Sequence, residues 1–249
     1  MQVMSDGFIS AQWPAPSHVR AGVTTRLGGA SAGQFASFNL ATHVGDSDVA
    51  VAANRERLRT MLALPSEPIW LQQVHGCAVV QPDLRADDRC GDAVVSRAFG
   101  TVCAVMTADC LPVLLTDRAG TCVAAAHAGW RGLAAGVLEA SVQRLPVAPE
   151  TLLAWMGPAI GQHAFEVGDE VRAEFMRHDP RAASAFVHSP RQRWYADLYM
   201  LARQRLSSCG VRDIFGGEYC TYEDARHFYS YRRDGVTGRM ASLIWLARR

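Results

Sequence analysis

The sequence has little excess charge of either sign. Its 25 Lys and Arg residues nearly balance 24 Asp and Glu residues, which leaves a formal charge of +1 at pH 7. No run of five or more basic residues occurs, so the electrostatic footprint of a protein that binds nucleic acid or an anionic membrane is missing. We therefore expect no nucleic-acid or membrane partner, and a small neutral or modestly anionic ligand instead.

Long apolar runs are also lacking. The longest apolar stretches are interrupted by His, Asp, Arg or Gly before they reach the length of a membrane-spanning helix. The first ten residues, MQVMSDGFIS, contain neither the basic nor the long apolar segment of a secretory signal. The seven cysteines are odd in number and several lie within apolar runs, which is typical of a reduced chain. These features favour a soluble, cytoplasmic protein.

Local metal-binding signatures are absent as well. Neither CxxC nor HExxH occurs anywhere in the chain. The eight histidines include no HxH pair, and an oxidase with four copper ions needs many histidines in such close pairs. At most one metal centre is expected, and its ligands have to come from distant parts of the chain.

The chain is long enough for one large domain. It has 249 residues, of which 49% are hydrophobic and 20% are charged, so it can bury a sizeable core. No internal repeat and no low-complexity linker divides it. We expect a single domain over residues 1–249.

Short strand-like runs dominate the first 160 residues and return near the C-terminus. The predicted strands are residues 19–25, 69–74, 78–81, 93–96, 101–106, 113–116, 122–126, 214–219, 228–231 and 240–246. The predicted helices are residues 48–62, 132–145, 166–177 and 197–208.

The spacing of these elements limits the fold class. Several neighbouring strands are too close in sequence for a helical crossover, which argues against a purely parallel doubly wound sheet. We expect an α/β (α+β) fold, a single domain of mixed β-sheets flanked by helices. The segment 179–193 contains two prolines and mixed charges, and is the best candidate for a mobile surface loop.

Three polar residues, His75, Cys110 and His127, each follow or end a short apolar run. Strand ends are common places for functional sites, so the three side chains are candidates to meet at one sheet rim. Two imidazoles and a thiolate suit Zn²⁺ or copper, and three protein ligands leave a coordination position open for catalysis. The alternative is that the cysteine fills a core and the histidines form hydrogen bonds.

Asp109, directly before Cys110, adds a carboxylate to this candidate site. It is expected either to transfer a proton or to orient a metal-binding imidazole, and sequence does not separate these roles.

The segment 24–46, rich in Gly, Ser and Ala, is expected to form a long ordered loop. Arg26 is a candidate to hold a phosphate or carboxylate, and Asn39 and His43 offer neutral polar contacts. The alternative is a solvated connector with turn glycines.

Two further arginines are candidates for substrate binding. Arg131 lies in AHAGWRG, where Gly129 and Gly132 permit a tight strand-to-helix turn with exposed backbone N–H groups. Arg232 lies in a C-terminal run with several aromatic residues and further arginines, suited to the wall of a pocket for a flat ring. An edge hairpin with surface arginines is the commoner explanation of such a run.

Ten motifs in order resemble one protein family. They are TTRLGG, NLATHVGD, WLQQVHG, DAVVS, MTADCLPVLL, AAAHAGWRG, MGPAIG, FEVG, the helix after YADL, and FYSYRRDGVTGRM. Together they span about residues 22–245 and are similar to the YfiH-type family, whose members have been labelled multicopper polyphenol oxidoreductases or laccase-domain proteins.

The resemblance implies a fold and a metal site. The family fold is a single domain of mixed sheets covered by helices, similar to the catalytic domain of cytotoxic necrotizing factor, a deamidase with a Cys and His pair. By motif match, His75, Cys110 and His127 fall on the family's metal-binding triad, which usually holds zinc. Copper stays open as an alternative.

The resemblance also implies an activity. Members have been described as purine nucleoside phosphorylases of adenosine, inosine, guanosine and methylthioadenosine, with adenosine deaminase activity. Their partners are thus small-molecule purine nucleosides and phosphate; the oligomeric state is open and a monomer is compatible with the sequence. We expect a zinc-dependent enzyme of this kind, with Asp109 assisting proton transfer.

Three alternatives accompany this expectation, and the first is a non-catalytic ligand-binding protein. Bacterial relatives have been described as peptidoglycan editing amidases that hydrolyse a misincorporated UDP-MurNAc-amino acid, and Cys110 activated by His75 or His127 would suit amide hydrolysis without a metal. A copper-dependent polyphenol oxidase (laccase) fits poorly because of the few, unpaired histidines.

Overall fold

The computed structural model describes residues 4–5, 7–82 and 89–248. The strands are β1 (Met4–Ser5), β2 (Phe8–Ser10), β3 (Val19–Thr24), β4 (Val79–Val80), β5 (Ala93–Ser96), β6 (Cys103–Thr107), β7 (Leu111–Asp117), β8 (Val123–Ala128), β9 (Leu152–Met156), β10 (Glu166–Val167), β11 (Phe186–His188), β12 (Trp194–Ala196), β13 (Asp213–Gly216) and β14 (Met240–Leu246). The α-helices are α1 (Asp48–Leu62), α2 (Trp130–Ala135), α3 (Val137–Arg144), α4 (Asp169–His178), α5 (Leu198–Ser208) and α6 (Tyr231–Asp234). Short 3-10 helices cover Gly33–Phe35, Pro149–Thr151, Gln162–Ala164 and Pro180–Ala185.

The described strands form two large sheets and one small sheet. The first large sheet has the order β1-β2-β3-β14-β6 and is antiparallel. The second has the order β13-β9-β7-β8-β5-β4, with antiparallel pairs in its centre and a parallel pair at each edge. The small sheet has the order β10-β12-β11. The expected fold class, an α/β domain of mixed sheets with helices, is confirmed.

The two large sheets pack face to face, with helices on both outer sides. Along β8, Val123 and Ala125 belong to the apolar cluster between the sheets, whereas Ala124 and Ala126 belong to the cluster under α3 and α5. Successive side chains of a strand point to opposite faces, so both faces of the six-stranded sheet are covered. Such a strand reads as a continuous apolar run, as VAAAHA does.

The long helix α1 covers the outer face of the five-stranded sheet. The Ser47 side chain accepts a hydrogen bond from the N–H of Ala50 and caps the helix. Val51, Asn54 and Leu58 are its buried residues. The Asn54 amide donates to the carbonyls of Ser37 and Asn39 and accepts from a further backbone N–H. The segment 24–46 is therefore an ordered loop held by a helix, as expected.

Two predicted strands are wrong. Residues 69–74 form only isolated bridges, at Ile69 and Gln72, and not a strand. Hydrogen bonds that involve the side chains of Gln73 and Asp92 fix the end of this segment instead. Residues 228–231 do not form a strand. Phe228 and Tyr229 are buried, and the Ser230 side chain caps α6. A buried apolar run looks the same in sequence whether or not it joins a sheet.

Two predicted helices and one predicted loop also differ. Gly136 adopts φ +96° and divides the expected helix 132–145 into α2 and α3. The expected helix 166–177 begins instead with β10, and Gly168 precedes α4. The segment 179–193 is not an irregular loop, because it contains a 3-10 helix and β11 and buries Ala182 and Ala185.

No helix within the described parts of the chain is long and apolar enough to cross a membrane.

Candidate metal centre and substrate cavity

The candidate ligands lie at one rim of the six-stranded sheet. Cys110 directly precedes β7 and His127 lies near the end of β8. In the antiparallel register Leu111 is opposite Ala128 and Pro112 is opposite His127. The register therefore brings the start of β7 and the end of β8 together, as the sequence predicted for these two residues.

The third candidate, His75, reaches the same point from the loop before β4. One nitrogen or sulfur atom from each of His75, Cys110 and His127 lies within 4.8 Å of the other two. Cys110 Sγ is 3.9 Å from His75 Nε2, and the two imidazole rings meet edge to face with centroids 4.8 Å apart. The structure thus brings together the three side chains that the sequence proposed as metal ligands.

Two residues of the site hold a left-handed backbone conformation. His75 has φ +60° and Asp109 has φ +89°, values that cost free energy for residues other than glycine. Gln73 stabilises the first turn, because its side chain donates to the carbonyl of Met106 and accepts from the N–H of Met106. This amide ties the His75 loop to the edge of β6.

A fourth residue, Asp92, contacts both histidine segments and was not singled out in the sequence. It directly precedes β5, where Ala93 is opposite Ala126, so it lies beside His127. Its Oδ1 is 2.8 Å from His127 Nδ1, and the carboxylate also accepts the N–H groups of residues 74, 75 and 76. The side chain is fully buried. The available signal was the aspartate at the start of the buried strand DAVVS.

The thiol and the imidazole of this site change each other's pKa. Burial of Cys110 acts to raise its pKa, but His127 and His75 lower it to about 6. Burial of His127 acts to lower its pKa, but the Cys110 thiolate and Asp92 raise it to about 9. At neutral pH the metal-free site therefore contains a thiolate beside an imidazolium, and a metal cation would take the place of the imidazolium proton.

The donor set fits a divalent metal ion with affinity for nitrogen and sulfur. Around tetrahedral zinc, ligand atoms are separated by roughly 3.3–3.6 Å, as follows from bond lengths near 2.0–2.3 Å. The observed separations, 3.9 Å between Cys110 Sγ and His75 Nε2 and at most 4.8 Å within the group, would shorten by up to about 1.5 Å when the ligands bind zinc. Gly129 leaves the necessary space, because a Cβ there would lie 2.8 Å from Cys110 Sγ and 3.1 Å from the His75 ring.

The three ligands open onto a cavity of about 450 Å³, within the usual size range for small-molecule sites. Its wall combines apolar and aromatic side chains with three arginines. The lining residues are His43, Gln73, His75, Met106, Thr107, Ala108, Asp109, Cys110, His127, Trp130, Arg131, Ile160, Phe165, Tyr231, Arg232 and Arg239.

Of the five substrate-binding candidates, His43, Arg131 and Arg232 line the cavity. Arg26 and Asn39 do not. The Arg26 guanidinium stacks on Tyr229 at 4.7 Å and donates to backbone carbonyls. Asn39 is fully buried, and its side-chain oxygen Oδ1 accepts a hydrogen bond from the backbone N–H of Arg239. Asn39 therefore supports the wall through Arg239, whereas Arg26 lies outside the cavity.

Asp109 also lines the cavity, but its carboxylate is already engaged. Oδ1 accepts a 2.6 Å hydrogen bond from the Thr221 hydroxyl, and Oδ2 accepts a 2.6 Å bond from the N–H of Arg232. Each oxygen retains a second lone pair. The residue thus joins the Cys110 turn to the start of α6.

Sequence reasoning did not single out several lining residues as site candidates. Gln73, Trp130 and Phe165 carried no spacing signal, and Arg239 and Tyr231 were not separated from the rest of the C-terminal run. Burial lowers the pKa of Arg239, although the negative charges of Cys110 and Asp109 act to raise it. Burial also lowers the pKa of His43, and the neighbouring Arg239 lowers it further, which favours the neutral imidazole.

Among the residues that the structure describes, His75, Cys110 and His127 are the only group of three or more His, Cys, Asp or Glu side chains that could hold a metal ion.

Comparison with known sequences gives a match over nearly the whole chain. The family described as multi-copper polyphenol oxidoreductase laccase matches residues 20–247. The purine nucleoside phosphorylase YfiH of Escherichia coli is 55% identical over 241 residues, which cover 96% of this chain and 98% of that protein. A purine nucleoside phosphorylase of Pseudomonas aeruginosa is 54% identical over 246 residues, 97% of this chain and 99% of its own length.

Solved structures agree with the fold. The crystal structure of a Neisseria meningitidis protein has a TM-score of 0.93 at 49% identity and covers 97% of this chain and 100% of its own. The crystal structure of YlmD from Geobacillus stearothermophilus has a TM-score of 0.90 at 31% identity and covers 99% of this chain and 98% of its own.

Proposed function

The chain belongs to the family described as multi-copper polyphenol oxidoreductase laccase, and we propose that it is a zinc-dependent purine nucleoside phosphorylase with adenosine deaminase activity. The observation that carries the proposal is the meeting of His75, Cys110 and His127 at a cavity lined by arginines and aromatic rings. The names of the Escherichia coli and Pseudomonas aeruginosa relatives support the same activity.

The cavity suits a nucleoside and a phosphate. Trp130, Phe165 and Tyr231 offer aromatic surfaces for a purine ring. Adenosine, inosine, guanosine and methylthioadenosine share that ring and are the proposed substrates. The wall contains three positively charged arginines and one aspartate, Asp109. This excess of positive charge favours an anionic co-substrate such as phosphate.

Phosphorolysis transfers the sugar from the base to phosphate. An oxygen of phosphate bonds to C1′ while the bond from C1′ to N9 breaks, and the departing purine takes up the proton that the phosphate loses. The products are the free purine and the sugar 1-phosphate. The transition state resembles an oxocarbenium ion, so an oriented anion beside C1′ stabilises it. We assign the phosphate to Arg239, which is partly buried in the wall, with Arg131 at the rim.

A zinc ion held by the three ligands would supply Lewis-acid activation of water, the chemistry that deamination at C6 of adenosine requires. Asp109 is proposed to assist proton transfer, since it lines the cavity directly beside Cys110 and keeps lone pairs available. Copper is the alternative ion for the same donor set.

An amidase that acts on a peptidoglycan precursor is the second candidate, and the thiolate of Cys110 favours it. In the metal-free site Cys110 Sγ would attack the amide carbonyl, and His127 would give its proton to the departing amine. Water would then hydrolyse the thioester. This machinery needs no metal, which separates it from the first proposal.

A copper-dependent polyphenol oxidase receives least support. Within the described residues only one potential metal centre is present, and a multi-copper oxidase needs several. The cytoplasmic location, the absence of nucleic-acid and membrane partners, a domain spanning residues 1–249 and the likeness to cytotoxic necrotizing factor stay predictions.

The products of one substrate panel distinguish these functions. Zinc-loaded and metal-free protein would each be incubated with adenosine and phosphate, and separately with a muramoyl-serine precursor, with products separated by chromatography. Adenine with ribose 1-phosphate supports phosphorolysis, inosine with ammonia supports deamination, and free serine alone would show that the purine assignment is wrong. Cys110→Ser should abolish the true activity, whereas Cys77→Ser, at an exposed cysteine, should retain it.

A further inference from the structure

A buried carboxylate lies between the two histidine segments without being one of the three candidate ligands. Asp92 is fully buried, and an ionised carboxylate away from water is costly unless hydrogen bonds compensate it. Here four N–H groups surround it: His127 Nδ1 and the backbone N–H groups of residues 74, 75 and 76. Although burial acts to raise the pKa of Asp92, these hydrogen bonds hold it below its ordinary value.

We propose that Asp92 is the positioning residue of the metal centre and that it sets the geometry of both imidazole ligands. The proposal rests on the metal-binding part of the proposed function, but not on which reaction the centre catalyses.

The first action concerns the tautomer of His127. A carboxylate only accepts hydrogen bonds, so the 2.8 Å contact from Asp92 Oδ1 requires a proton on His127 Nδ1. The other ring nitrogen, Nε2, is then the lone-pair donor for a metal. Such a carboxylate behind a histidine ligand also fixes the ring orientation.

The second action concerns the loop that carries His75. Oδ1 accepts the N–H of His75 at 2.9 Å, and Oδ2 accepts the N–H groups of Val74 at 3.2 Å and Gly76 at 2.7 Å. Three consecutive N–H groups converge on one anion only when the backbone turns sharply, which accords with the left-handed φ of +60° at His75. The carboxylate thus compensates the strained turn that directs His75 toward Cys110.

The position of Asp92 is itself fixed by the sheet. The N–H of His127 donates to the carbonyl of Asp92 at 2.7 Å, next to the Ala93–Ala126 pair of β5 and β8. The carboxylate and the imidazole that it orients are therefore held by the same ladder. Oδ1 alone contacts both segments, so one atom couples the placement of the two ligands.

The test variant is Asp92→Asn, which keeps the shape but replaces one acceptor oxygen by a donor NH₂ group. If that NH₂ group faces residues 74 and 76, donor opposes donor and the His75 loop loosens. If it faces His127 Nδ1, the proton has to move to Nε2, where it blocks metal binding. Either orientation damages one ligand.

The matched control is Asp117→Asn. Asp117 is also a buried carboxylate, and it accepts the N–H groups of Thr121 and Cys122 at the opposite end of β7 and β8. The Asp117→Asn variant should be less stable than the native protein, but its metal centre should be unaffected. Zinc affinity would be measured for both variants by competition with a chromophoric chelator. We expect Asp92→Asn to bind zinc roughly 10–100-fold more weakly and Asp117→Asn to match the native protein.

Two measurements on metal-free protein separate this inference from the proposed function. Nitrogen-15 NMR of native protein should show His127 Nδ1 protonated at neutral and alkaline pH, and hydrogen exchange of residues 74–76 should be faster in Asp92→Asn than in Asp117→Asn. If native protein fails to bind zinc, the proposed function fails while these readouts still test Asp92. An unprotonated Nδ1 in native protein, or native zinc affinity in Asp92→Asn, would overturn the inference even if the variant's stability is low.

Discussion

Gly129 lies opposite Cys110 across the β7–β8 ladder, one position beyond the Leu111–Ala128 pair. A Cβ atom at position 129 would come within 2.8 Å of Cys110 Sγ. The backbone of Gly129, with φ −63° and ψ 158°, is open to any residue. The glycine is therefore required for the space that it leaves beside the sulfur and not for its conformational freedom.

Gly129→Ala should remove the metal centre while the fold is retained. The added methyl group would displace the thiolate or the His75 ring, and zinc content per chain, measured by elemental analysis, should fall well below one. Gly76→Ala is the control, because its Cβ would meet nothing closer than 3.7 Å and its backbone N–H remains. A Gly129→Ala protein with one zinc per chain would contradict this explanation.

Alkylation of Cys110 in metal-free protein should depend on pH with a midpoint near 6. Burial acts to raise the pKa of this thiol, but His127 and His75 lower it to about 6, so the reactive thiolate predominates above that pH. The rate of modification by iodoacetamide, followed by mass spectrometry, should rise through pH 6 and then level off. Buried Cys122, whose pKa burial and Asp117 raise to about 12, should stay unmodified.

Two further conditions check the same assignment. Bound zinc should protect Cys110, because the thiolate is then a ligand. His75→Asn should move the midpoint upward, since one of the two groups that lower the pKa is lost. A midpoint near that of an ordinary thiol in the native protein would rule out the thiolate–imidazolium pair.

Asp117→Asn should destabilise the protein at neutral pH and not at low pH. Burial acts to raise the pKa of Asp117, but hydrogen bonds from Thr121 and Cys122 hold it below its ordinary value. A lowered pKa means that the contribution to stability is complete above about pH 4 and is lost as pH falls through the folded-state pKa. Urea unfolding should show a loss of about 1–2 kcal/mol at pH 7. A difference that persists undiminished at pH 2 would contradict the assignment.

Arg239→Met should weaken phosphate binding more than it slows the chemical step. A hydrogen bond to a charged group contributes about 1.5–3 kcal/mol, so the KM for phosphate should rise by roughly tenfold or more. Arg26→Met removes an arginine outside the cavity that stacks on Tyr229. That variant should lower the melting temperature and leave the phosphate KM unchanged. If Arg26→Met instead raises the phosphate KM and Arg239→Met does not, Arg26 belongs to the substrate site.

Sequence patterns predicted the main elements because those elements are locally determined. Residues 93–96, 48–62 and 240–246 were predicted with the bounds that the structure has, since a short apolar run and the charged and apolar faces of a helix are both patterns of neighbouring residues. Gly136 was harder to read: a glycine inside a helical pattern divides a helix only when neighbouring elements require the turn.

The candidate site was predictable in its ligands and not in its support. His75, Cys110 and His127 each follow or end an apolar run, which is a local signal. Asp92 and Arg239 act through strand register and through the packing of distant segments, which only three-dimensional structure provides. Arg26 and Asn39 were predicted to bind substrate and do not line the cavity. The composition of a Gly-rich loop indicates a functional site but not which of its polar side chains face the cavity.

Asp109→Asn tests whether this carboxylate transfers a proton or only positions its neighbours. Thr221→Val removes the hydroxyl that donates the 2.6 Å hydrogen bond to Asp109 Oδ1 and leaves the carboxylate charged. Asp109→Asn removes the negative charge, but its amide oxygen can still accept the N–H of Arg232 while its NH₂ group donates to the Thr221 hydroxyl. If Asp109 transfers a proton, Asp109→Asn should lower kcat by about 10²-fold or more and remove one limb of the pH–rate profile. Thr221→Val should then lower kcat by less than about tenfold and keep both limbs, because the carboxylate remains beside the cavity. Equal losses in the two variants, with an unchanged pH profile, would instead mean that Asp109 holds the start of α6 and the Cys110 turn in place, and that the proton moves through another group.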